Sequence, residues 1–245
     1  MKGSVLVTGG ARRIGLAICE ELSARGWNVL SHSRDPGNPL YADFMRPDDA
    51  DRLFVAALKA APDLCAIVNN AAVFSTAAEL PQDEAKALWA VNVEAPVRLA
   101  ELLAAYLAKR HSVGAAVHLL DTRILKDFND FKVFNGFNGF SGLKSLAPYA
   151  ASKLALARAT VEQARRLAPT LRVNGVAPGP VMPPTDPANR EKGGDILLPS
   201  RPTPFDVASA VAFLLEADAV TGQVLAVDSG QSLARLPVDD STPVL

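Results

Sequence analysis

Apolar runs of strand length alternate with amphipathic segments of helical length along the whole chain, and this alternation constrains the fold more than any other feature. Strands are expected near residues 3–8, 27–32, 39–42, 64–69, 113–120, 170–176 and 223–228, with helices near 13–25, 47–61, 81–110, 149–167 and 204–216. A strand that returns parallel to its predecessor needs a crossover, usually helical, so the pattern predicts an α/β fold with a doubly wound parallel sheet of about seven strands. A chain of 245 residues suits one domain of that kind. Residues 1–236 are read as that domain and 237–245 as a polar C-terminal tail. Pro96, inside the long 81–110 segment, is expected to kink its helix.

Two intervals break the rhythm. Between Arg34 and the third strand stand only Asp35-Pro36-Gly37-Asn38. A crossover helix normally needs ten or more residues, so a shortened, tight connection is expected there, leaving that side of the sheet barer. The second interval is an insertion at 122–147. It holds Phe128, Phe131, Phe134, Phe137 and Phe140, five of the chain's ten phenylalanines, at every third position. The intervening Asn-Gly pairs favour turns, which leaves three readings: a loop packing its own rings, a lid over a pocket, or a subunit contact.

Composition narrows the function classes. A formal net charge of −1 gives no electrostatic case for nucleic acid or an anionic membrane surface. No apolar run reaches membrane-spanning length, and the strand pattern begins too early for a signal peptide. Two unclustered cysteines and three scattered histidines fit a reducing cytoplasm and no metal site.

The chemistry starts at Thr8-Gly9-Gly10-Ala11-Arg12-Arg13-Ile14-Gly15, directly after the first strand. A strand running into a glycine-rich turn that opens a helix presents backbone N–H groups to a phosphate, as in Rossmann-type sheets. Two arginines in the first helical turn oppose the helix dipole unless an anion lies nearby, which points to a dinucleotide pyrophosphate. At the end of the second strand stand Ser33 and Arg34 rather than the acidic residue that would bind a ribose 2′-hydroxyl; they suit a 2′-phosphate and hence NADPH. Tyr149 and Lys153 lie one helical turn apart on one face, where the ammonium is expected to lower the phenol pKa toward proton transfer.

In order and spacing, Thr8–Gly15, Asn69-Asn70-Ala71-Ala72, Asn92, Tyr149-Ala150-Ala151-Ser152-Lys153, Pro178-Gly179 and Val227-Asp228-Ser229-Gly230 resemble the short-chain dehydrogenase/reductase family across nearly the whole chain. The resemblance implies that Tyr149 is the proton donor, that Lys153 holds the nicotinamide ribose and tunes the tyrosine, and that Asn92 orders a water leading to the lysine. It places Gly9, Arg12, Arg13 and Ile14 at the cofactor phosphates and Asp43 and Phe44 by the adenine. Asn70, Ala71 and Ala72 would line the cofactor, and Pro178, Gly179 and Val181 would pass the nicotinamide. It also implies a homotetramer.

Three departures narrow the substrate. Asp121 stands where most members carry a serine, Arg13 replaces a glycine of the turn, and Phe74 follows Ala72 by two residues. An ionised carboxylate only accepts hydrogen bonds, so Asp121 suits a substrate with N–H donors better than a carbonyl; as a strand-end residue it could also simply cap its loop. Together these residues resemble the pteridine reductase branch. There Arg13 would contact pterin and phosphate, Phe74 would stack on the pterin, and Asp121, Tyr149 and Lys153 would act in C=N reduction. The Asp121-to-Tyr149 interval is about twice the family's usual length, which reshapes the pocket mouth. The expected activity is NADPH-dependent reduction of a pterin-like C=N bond. The alternatives are a carbonyl or 3-oxoacyl thioester reductase, and a non-catalytic NADP(H)-binding sensor or scaffold.

Overall fold

The computed structural model describes residues 2–75, 77–125, 147–181 and 196–234. The strands are β1 (Ser4–Thr8), β2 (Asn28–Ser31), β3 (Leu64–Asn69), β4 (Gly114–Leu119), β5 (Leu171–Pro178) and β6 (Val224–Val227). They form one all-parallel sheet in the order β2-β1-β3-β4-β5-β6. The helices are α1 (Arg13–Ala24), α2 (Asp49–Ala60), α3 (Gln82–Trp89), α4 (Ala95–Lys109), α5 (Pro148–Leu167), α6 (Pro204–Glu216) and the short α7 (Gln231–Ala234).

Successive strand residues point to opposite faces, so a strand covered on both sides must be apolar throughout. In β1 all five residues are buried. Leu6 joins one core with Ile67, Ala116 and Val173 of the sheet and Leu53, Leu99 and Leu103 of α2 and α4. Val5 and Val7 join the other, with Val68, Val117 and Val176, Ile18 and Leu22 of α1, and Val207 and Val211 of α6. Each face has its own helical cover, which is what double winding means physically.

The expected third strand at 39–42 does not form. Only Tyr41 bridges Ser33. The reason is local: Gly37 N–H donates to the Asp35 carboxylate, Asn38 N–H to the Asp35 carbonyl, and Leu40 N–H to the Asn38 side chain. Pro39 has no N–H to give a ladder, so turn bonds win over sheet extension, and the sheet has six strands among the described residues where about seven were expected. As expected, no helix separates Ser33 from Tyr41.

The long segment expected at 81–110 is helical but distorted before Pro96. A π-helical stretch at Ala90–Glu94 separates α3 from α4, and Pro96 lies in the first turn of α4. A proline here cannot donate to the carbonyl four residues back, and the widened turn takes up the mismatch. No helix among the described residues is long and apolar enough to cross a membrane, and those residues hold no cluster of metal-ligating side chains. The Phe128–Phe140 stretch and the 237–245 tail lie outside the described residues.

Candidate active site

Parallel strands all end at one edge of the sheet, and the glycine turn, Ser33 and Arg34, Asn70, and Asp121 follow the ends of β1, β2, β3 and β4 there. A cleft of about 770 Å³ opens there, lined by Gly9, Arg12, Arg13, Ile14, Ser33, Arg34, Asp43, Phe44, Asn70, Ala71 and Ala72 among others. These are eleven of the positions expected to meet a nucleotide. Its size falls within the roughly 300–1,000 Å³ typical of small-molecule sites.

The glycine turn is built for close approach. Gly9 has φ of +65°, and a Cβ on Gly15 would collide with the Gly9 carbonyl. Asn70 locks the same turn from below: its backbone N–H donates to Thr8 Oγ1 at 3.0 Å and its side-chain amide to the Thr8 and Gly9 carbonyls. The first turn of α1 carries no acidic residue and no side-chain cap. Arg13 has φ of +55°, in the left-handed region that favours glycine. A non-glycine residue there costs about 1–2 kcal/mol, so the arginine is kept against backbone preference. Arg12, Arg13 and Arg34 make the cleft wall basic, and no carboxylate occupies position 33 or 34 at the end of β2. Asp35 serves its own turn by accepting from Gly37. These residues fit a phosphorylated dinucleotide.

Sequence reasoning missed His32. It is 1 % exposed and lines the cleft. Its Nδ1 accepts from Gly9 N–H at 3.2 Å, its Nε2 lies 3.0 Å from the Ala42 carbonyl, and its ring centroid is 4.9 Å from that of Phe44. Burial, with the Arg34 charge adding to it, lowers its pKa. A histidine among polar strand-end residues carries no motif, so only the fold could single it out.

At the other end of the edge, Tyr149 in the first turn of α5 donates from its hydroxyl to Asp121 Oδ2 at 3.2 Å. The other oxygen of Asp121 accepts from Arg123 N–H at 2.9 Å and caps a 3₁₀ turn at Thr122–Ile124. The loop-capping reading of Asp121 therefore holds for one oxygen, while the other meets the Tyr149 hydroxyl. Phe74, half-exposed, meets the Tyr149 ring edge-on at 4.8 Å, and the Arg123 guanidinium lies 5.3 Å from the Phe74 ring centre. Arg123 was not anticipated; its place becomes visible only when the loop after β4 folds over Phe74.

The expected lowering of the Tyr149 pKa by Lys153 is not what the structure gives. Burial, followed by the charge of Asp121 and the hydrogen bond to it, raises the phenol pKa well above its ordinary value. Lys153 Nζ instead donates to the Leu119 carbonyl at 2.8 Å and stands 5.9 Å from the Tyr149 ring centre. Burial lowers its own pKa to about 8, with Asp121 acting in the opposite direction. Sharing a helix face fixes proximity, while burial and the β4 residues decide the electrostatics.

Asn92 lies in the π-helical stretch, fully buried. Its side chain accepts from Val73 N–H and donates to the Val73 carbonyl and to Ser152 Oγ. Its described contacts thus fix the Val73 strand-end loop against α5 rather than touch Lys153. Pro178 ends β5, Gly179 packs where a Cβ would strike Asp228, and Val181 rests on the α1/α6 side of the core.

The short chain dehydrogenase model matches residues 3–119, and the enoyl-(acyl carrier protein) reductase model matches residues 136–232. The dihydromonapterin reductase of Klebsiella pneumoniae is 31% identical over 94% of this chain and 96% of its own length. The L-xylulose reductase of Caenorhabditis elegans is 28% identical, covering 93% and 95%. Among solved structures, FolM alternative dihydrofolate reductase 1 from Brucella suis, in complex with NADP, superposes with a TM-score of 0.74 at 31% identity over 94% of this chain and 95% of that one. With the glycine turn, the Tyr149–Lys153 pair and full-length similarity in agreement, the chain belongs to the short-chain dehydrogenase/reductase family and is closely related to its dihydromonapterin and pteridine reductase branch.

Proposed function

We propose that this protein is an NADPH-dependent reductase of a pterin-like C=N bond. The coarser statement, an NADP(H)-dependent oxidoreductase, rests on family membership and on the basic cleft with Ser33 and Arg34 at the end of β2. The observation that carries the finer reading is the Tyr149–Asp121 hydrogen bond beside the exposed face of Phe74.

When bound, the cofactor supplies the hydride that reaches the ring carbon of the C=N bond. The ring nitrogen then needs one proton. Tyr149, kept neutral by burial and by Asp121, holds that proton at Oη. Asp121 Oδ2 accepts hydrogen bonds and would orient a substrate amino or ring N–H group, which a flat aminoheterocycle presents and a simple ketone does not. Phe74 offers an aromatic face for that heterocycle, and Arg13 reaches the cleft from the glycine turn. Lys153 holds a positive charge behind the pair, on the Leu119 carbonyl, where it would offset the phenolate left after proton transfer and meet the cofactor ribose. Asn92 supports the site by fixing the Val73 backbone.

The test is NADPH oxidation with dihydropterins, set beside a panel of ketones, pentuloses and 3-oxoacyl thioesters. Turnover of ketones with none on any pterin would sink the substrate reading and leave the reductase reading standing. NADPH binding without turnover of any substrate, in a protein whose biological role survives Tyr149→Phe, would instead favour a sensor.

The same reading places the enzyme in the cytoplasm as a homotetramer. Exposed Leu225 on the edge strand β6 and exposed Phe205 and Phe213 on α6 support a subunit contact there. Sedimentation or light scattering at micromolar concentration checks it; a monomer would refute the assembly and leave the chemistry untouched.

A further inference from the structure

We infer that His32 is a positioning residue for the cofactor: its neutral imidazole ties the glycine turn to the Ala42–Phe44 wall and so fixes the width of the nucleotide cleft. The inference rests on the reading of that cleft as the NADPH site.

No helix lies between β2 and α2. A second crossover helix would hold the wall beyond β2 by packing, yet here the chain passes from Ser33 to Tyr41 through turns and regains the sheet at a single bridge. The wall still has to stay in place, because Asp43 and Phe44 line the cleft opposite the glycine turn. Leu40, Ala42 and Phe44 pack into the Leu6 core, while the hydrogen bonds from the wall to its neighbours are Ala42 N–H to the Ser33 carbonyl at 3.4 Å and Asp43 N–H to the Asp49 carboxylate at 2.8 Å.

His32 bonds to both sides at once. Gly9 N–H donates to Nδ1, so Nδ1 carries no hydrogen; Nε2 then carries the ring hydrogen and donates to the Ala42 carbonyl. The ring packs against Phe44, and the backbone of the same residue accepts from Gly10 N–H and donates to the Val7 carbonyl. One buried side chain therefore sets the distance between the phosphate turn and the far wall, and does so in a defined tautomer. With only one of the two hydrogen bonds the side chain would not link the glycine turn to the Ala42–Phe44 wall.

The experiment measures NADPH binding by fluorescence titration, alongside steady-state kinetics, for wild type and three variants. His32→Phe keeps the ring against Phe44 and removes both hydrogen bonds; it should weaken NADPH binding about tenfold while kcat at saturating NADPH stays within about twofold. His32→Asn keeps an acceptor near Gly9 and His32→Gln keeps a donor near Ala42, so each should fall between wild type and His32→Phe. Nitrogen chemical shifts of the His32 ring in the wild-type protein should report the Nε2–H tautomer at neutral pH, a reading that needs no variant to fold. Wild-type affinity in His32→Phe, a loss of kcat matching the loss of affinity, or an Nδ1–H tautomer would each overturn the inference. Failure of the wild-type protein to bind NADPH at millimolar concentration would overturn the cofactor reading instead.

Discussion

At the scale of single residues, Asp121 and Tyr149 show how much one carboxylate changes. Asp121→Ser should cut kcat/KM for a dihydropterin by tenfold or more and leave ketone turnover equal or improved, measured side by side on the same preparation. Tyr149→Phe removes the proton donor and should lower kcat by about a hundredfold or more with NADPH affinity kept. Lys153 carries its charge only up to about pH 8. If that charge offsets the phenolate, kcat/KM falls as pH rises through that value, and Lys153→Arg gives a flatter profile. His118, fully buried between Asn69 and Gln163, has its pKa lowered from 6.5 to about 4 by burial. Its folded-state pKa lies below its unfolded one, so the unfolded chain takes up the proton first. The stability that neutral His118 contributes is complete above pH 6.5 and is lost as pH falls toward 4, at about 1.4 kcal/mol per pH step and about 3 kcal/mol in all. Chemical denaturation across that range checks it, with His118→Gln expected to flatten the curve. Residue identities were legible in the sequence; the direction of the Tyr149 pKa was not, because it depends on burial and on which neighbour the hydroxyl meets.

At the scale of elements, the junction of β1 and α1 concentrates the constraints. Gly15→Ala would force its Cβ into the Gly9 carbonyl and should destabilise the protein by about 1–3 kcal/mol while widening the turn, read as a lower Tm and weaker NADPH binding. Arg13→Gly has the opposite structural sign. It relieves a left-handed φ but adds chain entropy to the unfolded state, so stability should change by less than about 1 kcal/mol. Function should nonetheless suffer, with kcat/KM about tenfold lower. The alternation of periods located every major element from β1 to β6, and the turn formers at 35–38 announced the missing helix. They also concealed the missing third strand. A four-residue apolar stretch reads as a strand, and whether it pairs depends on turn bonds that the period does not report. The π-helical stretch before Pro96 was legible only as a kink, since a proline announces strain but not how the preceding turn absorbs it.

At the scale of the whole molecule, two apolar cores on opposite faces of one sheet hold the strand ends in register, and that common edge is what turns scattered residues into a site. The fold class, the nucleotide turn, the Tyr149–Lys153 pair and the replacement of a serine by Asp121 follow from residue patterns alone, because period, glycine placement and residue type are local properties. The rest came from tertiary contacts. It paired Tyr149 with Asp121 rather than with Lys153, laid Arg123 over Phe74, and placed His32 between Gly9 and Ala42. Those contacts join residues whose separation along the chain carries no pattern, and their energies arise from desolvation and hydrogen bonding in a packed interior, which exist only once the sheet has brought the strand ends together.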